Sequence, residues 1–180
     1  MAHRSIMVRT VLVFLVSVVL TASAQEKKQP VVLAKASGSY GKYAFTFITL
    51  DGKKISLADY AGKVVLVNIW APWCGPCRKE TPGFANLYQQ YHSKGFEILG
   101  VAVQTNESDV RAFIEKYKPA WPIGINDNVA KNYGTYGLPD SYLFRADGSL
   151  AKRFFGYAQE EAVKPVLEEA LKEVSFSKTK

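Results

Sequence analysis

A mixed α/β sandwich is the fold class this sequence predicts. Two continuous apolar runs, KVVLVNIWA (63–71) and FEILGVAV (96–103), read as strands buried on both faces, as in a parallel sheet. Segments of helical periodicity alternate with them through the first half, and a hairpin comes late. That order calls for a sheet with parallel and antiparallel strands, flanked by helices.

Each element has its own signal. Residues 25–42, polar and rich in Gly and Ser, read as a linker or lead-in. In YAFTFITLDGKKISLADY the apolar residues Phe45, Phe47 and Leu50 alternate, with Ile48 breaking the pattern. Asp51-Gly52 then turns the chain toward Ile55 and Leu57, which predicts an N-terminal hairpin. After the first buried strand, helical spacing begins at Cys77 and places Phe84, Leu87, Tyr88 and Tyr91 on one side, with Pro82 expected to kink the helix. Gly95 ends it. ESDVRAFIEKY (107–117) is amphipathic through Val110, Phe113, Ile114 and Tyr117, with Ser108 as the expected cap. WPIGI is a short strand, and NDNVAKNYG a short helix stopped by Gly134. SYLFRADGSLAKRFFG turns at Asp147-Gly148. The last helix presents Ala162, Val166, Leu167, Ala170, Leu171 and Val174, with Pro165 in its first turns, where proline is best tolerated. One domain over 43–174 and a short tail over 175–180 are expected.

Residues 1–24 read as an export signal. MAHRSIMVRT supplies positive charge, VLVFLVSVVL an apolar run, and TASAQ a small-residue cleavage site after Ala24. The alternative is an uncleaved membrane anchor, but the run is short for a spanning helix and is interrupted by Ser17, Thr21 and Ser23. Losing Arg4 and Arg9 with that segment lowers the net charge from +7 to +5. The remaining basic residues form no stripe interleaved with aromatics, so nucleic acid is not an expected partner. The expected location is the periplasm.

Both cysteines of the chain lie in APWCGPCRKE, residues 71–80. A disulfide closing so short a loop removes little chain entropy, which weakens a purely structural role. Zinc wants four ligands, and beyond Ala24 only Cys74, Cys77 and a lone His92 are on offer; His92 reads as a solvated helix residue. Copper delivery lacks ligands too, because both methionines, Met1 and Met7, belong to the export signal. Redox exchange remains. Cys74, at the end of a buried strand and the start of a helix, meets unpaired N–H groups and partial positive charge that favour a thiolate. Cys77, one turn on and more buried, is placed to attack a mixed disulfide formed by Cys74. Gly75 and Pro76 set the tight turn, and Trp73 offers an apolar surface to a docking protein. No cofactor and no metal are expected.

The stretch VVLVNIWAPWCGPCRKETP, with LDGKKISLADYAGK, GVAV and YGLPDSYLFRADGSL around it, resembles the exported TlpA/ResA-like thiol-disulfide oxidoreductases of the thioredoxin superfamily. The resemblance runs from about Phe45 to Leu171. It implies a thioredoxin fold: a central mixed sheet flanked by helices, with an N-terminal β-hairpin extension. It implies that Cys74 attacks, that Cys77 resolves, and that Pro139 is a cis-proline lying against the pair and aligning a substrate backbone. Leu138 and Asp140 beside it then belong to the docking surface. Glu80 matches a glutamate that some members use as a proton acceptor; the other reading is an exposed first-turn carboxylate favoured by the helix dipole. Two positions depart from relatives. Asn68 stands where cytoplasmic thioredoxins carry a buried aspartate and cannot take a proton, which makes Glu80 the candidate base. Asp140 stands where this branch often has threonine. Pointing inward, its charge would raise the pKa of Cys74; the alternative is that it points to solvent.

The resemblance implies a reductant of protein disulfides, re-reduced by a membrane electron donor, with apocytochrome c or a copper-oxidase assembly protein as candidate substrate. Gly-Pro between the cysteines matches the reducing end of the superfamily, near about −270 mV rather than about −120 mV. A monomer is expected. A thiol peroxidase is the alternative enzyme, but such enzymes carry Thr three residues before the reactive cysteine, and Ala71 stands there. A copper-binding chaperone is the alternative binding module.

Overall fold

A computed structural model describes residues 40–177. The segments expected to be an export signal, most of the lead-in and the last tail residues lie outside the described residues. Five strands form the main sheet in the order β5-β4-β3-β6-β7, with β3 Val64–Trp70, β4 Phe96–Ala102, β5 Ile123–Ile125, β6 Asp140–Phe144 and β7 Leu150–Phe155. β3, β4 and β5 run parallel, while β6 lies antiparallel to β3 and β7 antiparallel to β6. The expected mixed sheet is therefore present, with its parallel part built from the two apolar runs, every residue of which is buried in β3 and β4.

Alternation along β3 sends its side chains into two cores. Val64, Leu66 and Trp70 pack with Phe84 and Leu87 of α1 (Gly75–Tyr91), Val110 and Phe113 of α2 (Glu107–Tyr117), and Val163 and Leu167 of α4 (Glu160–Ser177). Val65, Val67 and Ile69 pack with Val129 and Tyr133 of α3 (Asp127–Tyr133) and with Tyr40, Phe45 and Phe47. These are helices on both faces of a sheet, as in the thioredoxin fold.

The N-terminal hairpin, β1 (Thr46–Ile48) and β2 (Lys54–Ser56), forms its own two-stranded sheet. One bridge, Thr49 to Gly124, ties it to β5. A β-carbon on Gly124 would stand 2.2 Å from Phe47 Cδ2 and 2.4 Å from the Ile48 carbonyl oxygen, so only glycine admits this approach.

Several local expectations change. Ile48 is 63% exposed between buried Phe47 and Thr49, so it keeps the alternation instead of breaking it. Leu57, fully buried, leaves β2 and begins a 3-10 turn capped by Ser56 and Asp59. Asn106, not Ser108, caps α2: its side-chain oxygen accepts from the Asp109 N–H at 3.0 Å, and the Ser108 hydroxyl donates to that same oxygen. In α4 the inward residue of the first turn is Val163, while Ala162 is exposed. That helix also runs past residue 174 to Ser177, and α1 continues through Pro82 without interruption.

Candidate active site

The cysteines sit where β3 hands over to α1. β3 stops at Trp70, and the Cys74 N–H donates to the Ala71 carbonyl at 3.1 Å, which turns the chain. Cys74 is extended and caps the helix: its sulfur accepts the Cys77 N–H at 3.2 Å. Helicity thus begins at Gly75, ahead of Cys77, with Pro76 in the first turn, where its missing N–H costs nothing. The pair is a disulfide with Cα atoms 5.3 Å apart. Both residues are buried, Cys74 to 4% exposure and Cys77 to 2%, so their difference in burial is small. What separates them is the cap, because only Cys74 sulfur takes a helix N–H.

Trp73 stands beside them, 56% exposed, its indole N–H donating to the Gln104 carbonyl at 2.9 Å. Gln104 adopts a left-handed φ of 53° and is itself held by Asp127, whose carboxylate accepts the Gln104 N–H at 2.7 Å. Arg78 braces the same turn by donating to the Pro72 carbonyl at 2.7 Å.

Glu80 lies one helical turn beyond Cys77 and is 2% exposed, which excludes an exposed first-turn carboxylate. Asn68 Nδ2, from β3, donates to one of its oxygens at 2.9 Å, and the Ala158 N–H donates to the other at 3.1 Å. Burial pushes the Glu80 carboxyl up to about 8, against the pull of these two donors. Asn68 also donates to the Ser141 hydroxyl at 2.9 Å. The residue that cannot take a proton therefore holds the one that can.

Pro139 is buried and its peptide with Leu138 is cis. Register pairs Ile69 with Asp140, which sets Pro139 at the end of β3 from which the cysteine turn departs. Leu138 is half-buried between the two cores. Asp140 meets neither expectation. It is fully buried, and its two oxygens take Arg153 Nε at 2.8 Å and Arg153 Nη2 at 2.7 Å. Thr135 and Tyr142 hydroxyls add donations at 2.8 and 3.0 Å. Its β6 neighbour Ser141 faces Asn68, so strand alternation turns Asp140 to the opposite face of the sheet from Glu80. Its charge is compensated there rather than aimed at the cysteines.

Sequence reading missed Ser141, Ala158, Thr135 and Arg153. The available signal was period two in β6, which separates Ser141 from Asp140 once its register on β3 is known.

Comparison with known proteins bears on this arrangement. The sequence pattern of the Redoxin family matches residues 36–171. The thiol-disulfide oxidoreductase ResA of Bacillus thuringiensis subsp. konkukian (strain 97-27) is 37% identical over 139 residues, 75% of this chain and 78% of that protein. ResA of Bacillus subtilis (strain 168) is 34% identical over 137 residues, 74% of this chain and 76% of its own. Among solved structures, a putative thiol:disulfide interchange protein DsbE from Chlorobium tepidum superposes with a TM-score of 0.67 at 26% identity, covering 71% of this chain and 93% of that one. The thioredoxin domain of a Bacteroides vulgatus thiol-disulfide oxidoreductase gives 0.64 at 31% identity over the same shares.

Proposed function

Because the chain belongs to the Redoxin family, among the ResA-like thiol-disulfide oxidoreductases, we propose that it reduces disulfides in exported proteins. The observation that carries this reading is the order of groups along one helix start. Cys74 caps the helix with the Cys77 N–H on its sulfur, and a buried acid follows one turn beyond Cys77.

In the reduced enzyme the Cys74 thiolate attacks one sulfur of a substrate disulfide. A bond forms from Cys74 to that sulfur, and the other substrate sulfur leaves as a thiolate. Glu80 then accepts the Cys77 proton, and the Cys77 thiolate attacks Cys74 sulfur. The mixed disulfide breaks, Cys74–Cys77 is oxidised by two electrons, and the substrate leaves as a dithiol once its sulfurs take up protons. A carboxyl near 8 is ionised in a minor fraction of molecules at neutral pH, and in that fraction its affinity is close enough to a thiol's ordinary value of about 8.5 to take the Cys77 proton. Pro139 and Leu138 align the substrate backbone and Trp73 takes an apolar side chain of the docking protein.

The setting is the periplasm, reached through residues 1–24, with the protein acting as a monomer. A membrane electron donor returns the pair to the dithiol. Apocytochrome c and copper-oxidase assembly proteins are the substrate classes. Equilibrating the Cys74–Cys77 pair in defined thiol buffers tests the direction. A potential near about −270 mV supports a reductant, and one near about −120 mV overturns it.

A further inference from the structure

Residues 135–139, the segment that delivers Pro139 to the site, are tied to α3 by the Thr135 N–H, which donates to the Ala130 carbonyl at 2.9 Å, and otherwise by contacts that gather around one side chain. The Thr135 hydroxyl donates to Asp140 at 2.8 Å. The Tyr136 ring lies on the Phe155 ring with centroids 4.4 Å apart. Gly137 passes so close that a β-carbon would stand 3.0 Å from Phe155 Cζ. The Pro139 carbonyl accepts the Gly156 N–H at 2.9 Å. Arg153 underlies these contacts. Its guanidinium grips Asp140 with two donors and lies 5.4 Å from the ring centres of both Tyr136 and Phe155, and 5.2 Å from that of Tyr142.

Such a guanidinium is suited to this task, since its fork matches a carboxylate while its flat face covers rings. One end of the unit is fully buried at Asp140 and the other is open: Tyr136 is 77% exposed and Phe155 49%. A buried anchor carrying an exposed aromatic edge beside Pro139 is the form a docking edge needs. Rigid rings present contact area with little entropy left to lose.

We propose that Arg153 is a positioning residue for substrate: it fixes segment 135–139 and the Tyr136–Phe155 edge so that a protein disulfide docks in register with Cys74. This rests on the reading of Pro139 and Leu138 as the segment that aligns substrate. Arg153 acts through that segment, since the Asp140 it holds faces away from the Asn68–Glu80 side of the sheet.

The test uses the full chain, reduced, with two oxidants. One is a peptide containing an oxidised Cys-x-x-Cys-His; the other is 5,5′-dithiobis(2-nitrobenzoate), too small to need the edge. Arg153→Met is expected to raise the half-saturating peptide concentration roughly tenfold, with the saturated rate and the small-reagent rate changed by less than about twofold. Tyr136→Ala, at an exposed position that does not threaten folding, is expected to raise it about threefold. Arg153→Lys, which keeps the charge and loses the fork, is expected to fall between Arg153→Met and the unsubstituted protein. Equal losses on both oxidants, or an unchanged half-saturating concentration in Tyr136→Ala, overturn the proposal. If the unsubstituted protein reduces the small reagent and not the peptide, the substrate reading itself fails, and this inference with it.

Discussion

Glu80 makes the stability of the oxidised protein depend on pH in a window where few other groups interfere. An ordinary glutamate releases its proton near 4.5, whereas burial pushes Glu80 up to about 8. Between those values the folded protein holds a proton that the unfolded chain has given up, so stability falls as pH rises through the window. Each tenfold change in proton affinity is worth about 1.4 kcal/mol, which makes the loss between pH 4 and 9 about 5 kcal/mol if Glu80 stays in place. Glu80→Gln removes the titration. It also introduces a fixed cost, because Asn68 and Ala158 both donate to the carboxylate and an amide has only one acceptor oxygen. One buried donor is left facing another, at a cost of about 1–3 kcal/mol. The two stability curves should therefore cross: the variant is weaker at pH 5 and stronger at pH 9. Urea unfolding of the disulfide form across pH 5–9 reads this as the difference between the two proteins, in which the histidines common to both cancel, while disulfide-bonded cysteines do not titrate and the lowered carboxylates Asp51, Asp147 and Glu169 act below the window. Parallel curves for the parent and Glu80→Gln would refute the reasoning.

Cys77→Ser should stop the exchange at a covalent adduct between Cys74 and an oxidised peptide, visible by mass spectrometry under non-reducing conditions, whereas Cys74→Ser should form none. Asn68→Leu removes one of the two donors that restrain Glu80, so the pH dependence of reduction should move upward by about one to two pH units; an unmoved profile would separate Glu80 from the chemistry. Gly124→Ala drives a β-carbon onto the Ile48 carbonyl, a backbone atom that cannot swing aside. It should lower stability by about 2–3 kcal/mol in urea, with exchange per folded molecule retained.

The parts of this fold that depend on short-range pattern were legible in the sequence. The apolar runs of β3 and β4 and the strand-to-helix turn at Cys74 follow from period and from the capping geometry of neighbouring residues. What escaped depends on contacts made far along the chain or on a choice between equivalent local groups. One of the two donors that hold buried Glu80 is the Ala158 N–H, 78 residues away, and nothing near Glu80 announces it. Asn106 and Ser108 are both capping residues two positions apart, and composition cannot choose between them. The inward turn of Val163 depends on how α4 is rotated against Phe84 and Leu87, which its own periodicity places only to within a residue.

Asn68 and Asp140 look unrelated in sequence, yet one strand pairing explains the placement of both. β6 runs antiparallel to β3 with Ser141 opposite Asn68 and Asp140 opposite Ile69. Because neighbouring residues on a strand face opposite ways, Ser141 shares a face with Asn68 and Glu80, while Asp140 joins Ile69 on the other. A carboxylate next to Pro139 is thereby turned away from the cysteine pair, and Arg153 compensates its charge on the far face. A shift of one residue in this register would exchange the two roles, bringing Asp140 against Glu80, where two buried carboxylates could not both ionise. The register of β6 on β3 therefore shapes the site as much as the cysteine motif does: it leaves Glu80 as the buried acid on the Asn68 face and gives Asp140, beside Pro139, to Arg153 on the other.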